Sequence, residues 1–139
     1  MSVERTVSER LVDYCMGINY SSLSPEAITE AKRMALDVFG VAIVGSQASW
    51  SKMVQELVFE MAGPEESTVI GGGRKVLCGN AVLANGIALR HPEYCGHLQT
   101  KDTLMAIHCE ENVPTALAVC EKQSLGGKEL LTSIVLAAE

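Results

Sequence analysis

Apolar residues recur every three or four positions along most of this chain, a spacing that places them on one face of an α-helix. Glycine and proline interrupt the pattern and so mark helix ends. Thr6 with Glu9 forms a capping box at the first helix, and Ser24 ahead of Pro25 is a start signal for the second. The predicted helices cover residues 7–17, 25–45, 49–61, 78–89 and 112–122, and a last one follows Gly126 and Gly127.

The longest predicted helix, from Pro25 to Gly45, is apolar on nearly all sides between Leu36 and Val44. A helix that is apolar all round is normally buried. Gly40 lies in the middle of this stretch and would allow a close approach. We therefore expect this segment at the centre of the fold, with another helix crossing it at Gly40.

The periodicity changes between Ser67 and Leu77, where two short β-prone segments flank Gly71-Gly72-Gly73. This pattern predicts two extended pieces joined by a glycine turn. A phosphate-binding loop is disfavoured, because no Gly-Lys-Ser/Thr follows and no helix starts on the glycines. The predicted fold class is all-α: a single helical bundle-like domain over residues 1–139, with one short β-hairpin-like excursion near residues 67–77.

Composition narrows the possible partners and the compartment. The formal charge is −6 and the pI about 5.1, and no Lys/Arg run is present, so a nucleic-acid partner is not expected. No apolar run reaches the ~18 residues of a membrane span, and the N-terminus is too polar for a signal peptide. The five cysteines lack CxxC spacing and sit mostly among apolar or small residues, as reduced thiols do. These features predict a cytoplasmic protein without a membrane partner.

Candidate chemistry is concentrated in one stretch, which holds all three histidines of the chain. His97, His108 and Glu93 are able to give and take protons, and Arg90 is able to clamp a carboxylate through two hydrogen bonds. Together these groups suit abstraction of a proton next to a carboxylate. Dehydratases, epimerases and some decarboxylases share that step.

Two other interpretations of the same stretch remain open. In the first, the residues form an ordinary polar connection, with Glu110 and Glu111 favouring a helix start through its dipole and Arg90 pairing only with Glu93. A zinc site is the other alternative, but the spacings match no compact zinc module. Its possible ligands would be His91, Cys95, His97, His108 and Cys109.

Four motifs, in order and at characteristic spacing, resemble the N-terminal region of the MmgE/PrpD family. This family includes 2-methylcitrate dehydratase, cis-aconitate decarboxylase and iminodisuccinate epimerase. The motifs span nearly the whole chain. They are AKRMALDVFGVA at 31–42, STVIGGG at 67–73, Ala84-Asn85-Gly86, and NVPTALAV at 112–119.

The resemblance implies a lyase or isomerase that acts on a small di- or tricarboxylate, as 2-methylcitrate dehydratase does in propionate metabolism. Family members are usually cofactor-independent homodimers. The resemblance aligns the family's aspartate-rich motif with residues 93–97 and its His-Pro motif with residues 108–112. It implies a catalytic role for His108, assisted by Glu93 or His97, and carboxylate binding by Arg90 and Asn112, with no metal.

This sequence departs from the family pattern at Gly96 and His97, which stand where the family has its second acid and a hydroxyl. An alternative register, with an insertion, places Asp102 and Thr103 there instead. We favour the ungapped register.

Family members are considerably longer than this chain and complete the active site with later helices and a second, mixed α/β domain. The last predicted helix also has no stop signal before Glu139. We therefore expect the N-terminal part of a longer enzyme. The alternative is a truncated or degenerate relative that serves as a helical oligomerisation unit without catalysis.

Overall fold

A computed structural model describes residues 5–61, 63–94, 108 and 111–138. The described part of the chain is mainly helical, with one two-stranded antiparallel hairpin, which confirms the all-α class with a short β excursion. A single 3-10 turn, Tyr20–Ser22, separates the first two helices. The elements are α1 (Val7–Gly17), α2 (Pro25–Gly45), α3 (Ser49–Glu60), β1 (Ser67–Val69), β2 (Arg74–Val76), α4 (Cys78–Arg90), α5 (Asn112–Lys122) and α6 (Gly127–Ala138).

The start signals predicted for α1 and α2 form the expected capping hydrogen bonds. At α1 the Thr6 hydroxyl accepts a hydrogen bond from the Glu9 N–H at 3.2 Å, and the Glu9 carboxylate accepts one from the Thr6 N–H at 2.8 Å. At α2 the Ser24 hydroxyl accepts from the Ala27 N–H at 3.1 Å. Each bond satisfies an N–H that the helix leaves without a partner in its first turn.

Helix α4 belongs to both parts of the apolar core. In the first part its Leu89 packs with α2, α5 and α6, and in the second its Ala81 and Ala84 pack with α3, the hairpin and α5. The buried side chains are mostly alanine and valine, so the helices approach closely. Helix α4 is therefore the central element: one part of the core holds its start and the other part holds its end.

The closest crossing of α2 and α4 is at Gly45 rather than at Gly40, which corrects the expectation from the sequence. A Cβ atom at Gly45 would lie 1.8 Å from the carbonyl oxygen of Ala88, so only glycine fits. Gly40 instead faces away from the core, and among the described residues nothing lies within 4 Å of a Cβ placed there. The apolar stretch from Leu36 to Val44 is thus only half buried, because α4 covers one side of α2.

The β-hairpin pairs Ser67 with Val76 and Val69 with Arg74. Its turn contains Gly71 and Gly73 at φ values of 74° and 66°, a left-handed conformation that glycine adopts without strain. The predicted glycine turn is confirmed.

Asn85, in the middle of α4, fastens this hairpin to the bundle. Its Oδ1 accepts from the Ile70 N–H at 2.8 Å, and its Nδ2 donates to the Thr68 carbonyl at 2.9 Å. The side chain is 1% exposed. Asn85 therefore has a structural role at the hairpin.

Helix α1 differs from the others because none of its residues is buried. Its apolar residues Val7, Leu11 and Met16 are exposed. None of the helices in the described ranges is both long and apolar enough to cross a membrane.

Candidate functional site

The end of α4 and the start of α5 meet through Arg90. Its Nη1 lies 3.3 Å from Oε1 of Glu111, the residue directly before α5, and its Nη2 lies 3.7 Å from Oε1 of Glu93. The two segments that carry the predicted site, the end of α4 and the start of α5, therefore meet at Arg90, although a long stretch of sequence separates them.

His108 is joined to this cluster through the backbone. It is exposed, and its carbonyl oxygen accepts a hydrogen bond from the Glu111 N–H at 3.4 Å. His108 is therefore accessible to a ligand and lies within one turn of the carboxylate that faces Arg90.

Glu93 lies in the turn that follows α4. Its φ of 55° is in the left-handed region, and its N–H donates to the Arg90 carbonyl at 3.2 Å. This turn brings the Glu93 carboxylate back toward Arg90. The side chain stays 75% exposed, so its charge remains largely hydrated.

Asn112 opens α5, but its amide is used differently from the predicted role. Its Nδ2 donates to the carbonyl of Ala137 near the end of α6, at 3.2 Å. The bond ties the start of α5 to α6, whose last carbonyls have no partner within that helix. The structure thus brings Arg90 and Glu93 together with Glu111, and engages the Asn112 amide nitrogen with α6.

Several residues named from the sequence lie outside the described residues. They are His97, the alternative pair Asp102 and Thr103, and the possible zinc ligands Cys95 and Cys109. Their contribution to the site stays a prediction.

An apolar cavity of about 290 Å³ adjoins the Arg90–Glu111 pair. Apart from these two charged residues it is lined by Val82, Leu83, Gly86, Ile87 and Leu89, all on α4. A cavity with an apolar wall and a cation at one edge suits a ligand that has a short aliphatic body and a carboxylate.

Sequence reasoning assigned Glu111 to the helix dipole and did not predict its contact with Arg90. The available signal was weak. A cationic residue that ends one helix favours a carboxylate nearby, but several acids follow Arg90, and their distances depend on tertiary packing.

Among the described residues, neither a reactive thiol nor a cluster of metal ligands adds to the candidate site. Cys15, Cys78 and Cys120 have free thiols, and burial, aided by the nearby carboxylate of Glu129, raises the pKa of the Cys120 thiol. Such a thiol is a poor nucleophile. Within the described ranges no three His, Cys, Asp or Glu side chains come close enough to hold a metal ion.

The fold and the site together define a helical domain that presents an arginine, two carboxylates and a histidine where two of its helices meet. The sequence profile of the MmgE/PrpD N-terminal domain matches residues 9–139, so the chain belongs to the MmgE/PrpD family. No curated protein and no solved structure gave a significant match.

Proposed function

We propose that this chain is the N-terminal helical part of an MmgE/PrpD lyase or isomerase. In this proposal the enzyme abstracts a proton next to a carboxylate of a small di- or tricarboxylate, in a 2-methylcitrate dehydratase-like reaction. The observation that carries the proposal is that Arg90 faces both Glu93 and Glu111, while the Glu111 N–H is bonded to the backbone carbonyl of the exposed His108. Family membership supports it, because the profile that matches is that of the family's N-terminal domain.

The geometry around Arg90 suggests how a substrate carboxylate binds. Glu93 and Glu111 both face the guanidinium, and both pairs are partly exposed, a situation in which an ion pair contributes only about 0–1 kcal/mol. A substrate carboxylate that makes two parallel hydrogen bonds to Arg90 therefore displaces one of them at little cost. The aliphatic part of the substrate then contacts the apolar wall of α4.

Proton transfer is assigned to His108, with Glu93 or His97 assisting. The His108 side chain is exposed and therefore accessible to a substrate. When the substrate takes the place of Glu93 at Arg90, the Glu93 carboxylate is released and becomes available as a second base. Asn112 reaches a substrate oxygen through Nδ2 only after it gives up its bond to Ala137.

The resemblance further suggests a cytoplasmic homodimer that works without a cofactor. In this proposal further catalytic groups come from later helices and a second domain, as the resemblance implies. The assay therefore uses both the 139-residue chain and the protein encoded by the complete reading frame.

The test is turnover of 2-methylcitrate, citrate and cis-aconitate, followed as hydration, dehydration or CO₂ release. We expect turnover by the complete protein and a fall of about 10²–10⁴-fold in kcat for His108→Ala, the usual loss when a general acid or base is removed. Unchanged turnover in His108→Ala would show that the role assignment is wrong.

A second candidate function is a non-catalytic helical assembly unit. The structure favours it in one respect: two carboxylates already face the charge of Arg90, and the Asn112 amide nitrogen is bonded within the domain. This alternative expects a stable oligomer of the complete protein with no turnover of any of these acids. Turnover that depends on His108 would exclude it.

A further inference from the structure

Helix α4 has two sides with different surroundings. The residues of its core side are buried and recur at helical spacing: Ala81, Ala84, Asn85 and Ala88. A second side lines the cavity of about 290 Å³, and it runs along the helix from Val82 through Gly86 to Arg90. Because these three positions are four residues apart, they lie on one face of the helix. This face is an apolar strip that ends at Arg90.

Gly86 lies in the middle of the strip, one turn before Arg90. The two positions are about 6 Å apart along the helix axis. Among the described residues nothing lies within 4 Å of a Cβ placed at Gly86, so packing within the described chain does not require glycine there. Glycine is also a poorer helix former than alanine. Its place in the cavity wall gives it another role, because the missing side chain leaves space directly beside the cation.

The size and the polarity of the cavity indicate what it binds. Its volume of about 290 Å³ is at the lower end of the ~300–1,000 Å³ typical of small-molecule sites, so it suits a small ligand. Among the described lining residues, charged side chains occur at one end, where Arg90 faces Glu111. The other end is formed by Val82 and Leu83. A ligand that fits both ends has an anionic group at one and an apolar group at the other.

We propose that Gly86 determines which acids this site accepts. One carboxylate binds Arg90, and an alkyl branch next to that carboxylate lies over Gly86 and contacts Val82 and Leu83. The inference rests on the proposed binding of a substrate carboxylate at Arg90. The substrate class that it names is a small di- or tricarboxylate with an alkyl branch.

The strip also disfavours acids that are polar throughout. A hydroxyl group placed over Gly86 would lose its hydrogen bonds to water, and the described side chains around it are apolar until Arg90 and Glu111. An alkyl branch has no such bonds to lose, and its burial is favourable. The selection therefore comes from both the open space at Gly86 and the apolar wall around it.

The test compares the binding of succinate with that of propylsuccinate, which is succinate with an alkyl branch. Isothermal titration calorimetry measures both dissociation constants on the protein encoded by the complete reading frame. We expect propylsuccinate to bind about 10-fold or more tightly, because its additional CH₂ and CH₃ groups are buried against α4. Gly86→Leu should reduce this preference to about 2-fold or less, since the new side chain occupies the place of the branch.

Two further variants separate the loss of space from a disturbed helix. Gly86→Ala favours the helix and fills less of the cavity, so its preference should lie between those of the wild type and Gly86→Leu. Gly79→Leu is the matched control on the same helix. Gly79 is exposed, has nothing described within 4 Å of its Cβ position and is not among the cavity residues, so this variant should keep the wild-type preference. Circular dichroism checks that all three variants keep their helices.

Arg90→Gln tests the other end of the ligand. It should weaken both acids by about 10-fold or more and to a similar extent, because a hydrogen bond from a charged group is lost in each complex. The ratio of the two affinities then stays near its wild-type value. The alkyl branch and the carboxylate thus have separate readouts.

Equal affinities of the wild-type protein for the two acids overturn the inference. So does a preference that persists in Gly86→Leu, and so does the absence of binding of either acid. These results are distinct from failure of the proposed reaction, since binding is measured without turnover. If His108→Ala leaves turnover unchanged, the proposed proton transfer is wrong, yet a preference that Gly86→Leu removes still supports the role of Gly86.

Discussion

Two polar clusters on α4 differ in how well they are shielded from water. Asn85, near the middle of the helix, is buried and bonds both the Ile70 N–H and the Thr68 carbonyl of the hairpin. Arg90, at the end of the helix, is partly exposed and faces two carboxylates at 3.3 and 3.7 Å. A buried amide with complete hydrogen bonds is fixed, whereas exposed ion pairs exchange easily. The difference indicates a structural role for the first cluster, and the second is the cluster to which our proposal assigns ligand binding.

The largest effect on stability is expected from Asn85→Ala. The change leaves the N–H of Ile70 and the carbonyl of Thr68 without their partner inside the protein, and each such group costs about 1–3 kcal/mol. We expect a loss of about 3 kcal/mol in the free energy of unfolding, measured by urea denaturation.

Asn80→Ala is the matched control on the same helix, because among the described residues the one hydrogen bond of the Asn80 side chain is a 3.4 Å contact with the Met61 sulfur. Its loss should stay below about 1 kcal/mol, as for other surface changes. Equal losses for the two variants would contradict the structural role of Asn85.

A smaller, pH-dependent effect is expected at Glu66, which caps the other end of α4. Its carboxylate accepts from the Cys78 N–H at 3.0 Å and lies 3.2 Å from the Lys122 ammonium. The Cys78 hydrogen bond, with Lys122 adding, lowers the pKa of Glu66, although desolvation opposes it. Because the folded pKa lies below the unfolded one, the contribution is present above the unfolded pKa and is lost as the pH falls through the folded pKa.

Glu66→Gln should therefore reduce the loss of stability between pH 7 and pH 3, measured as the shift in the urea midpoint. Glu65→Gln, at the neighbouring exposed position, serves as its control and should preserve the wild-type shift. If both variants keep the wild-type pH dependence, Glu66 does not stabilise α4 as the geometry indicates.

The smallest effect on stability is expected from Glu111→Gln. The Arg90–Glu111 pair is partly exposed, so its loss should change the free energy of unfolding by less than about 1 kcal/mol. A loss as large as that of Asn85→Ala would mean that Arg90 is fixed in the fold, and would remove the argument that a substrate carboxylate displaces its partners.

The helices and the hairpin were predictable because their signals are local. The capping box at Thr6, the proline after Ser24 and the glycine turn at residues 71–73 each determine the backbone within a few residues. The family resemblance could also be found from four short motifs, and the profile match confirms it.

Contacts between elements were harder to predict. The sequence offered Gly40 and Gly45 within one apolar stretch, and only the path of α4 decides that Gly45 is the crossing point. The partner of Asn85 depends on where the hairpin docks, and the contact of Arg90 with Glu111 depends on where α5 begins in space. Periodicity along the chain contains none of this information.

Turnover of small tricarboxylates by the complete protein, compared between His108→Ala and His91→Ala, tests the central claim most directly. Both histidines are exposed and flank the same connection, but only His108 is bonded through its backbone to Glu111. The account predicts that His108→Ala loses about 10²–10⁴-fold in kcat, while His91→Ala stays near the wild-type rate. Equal rates in the two variants would contradict it.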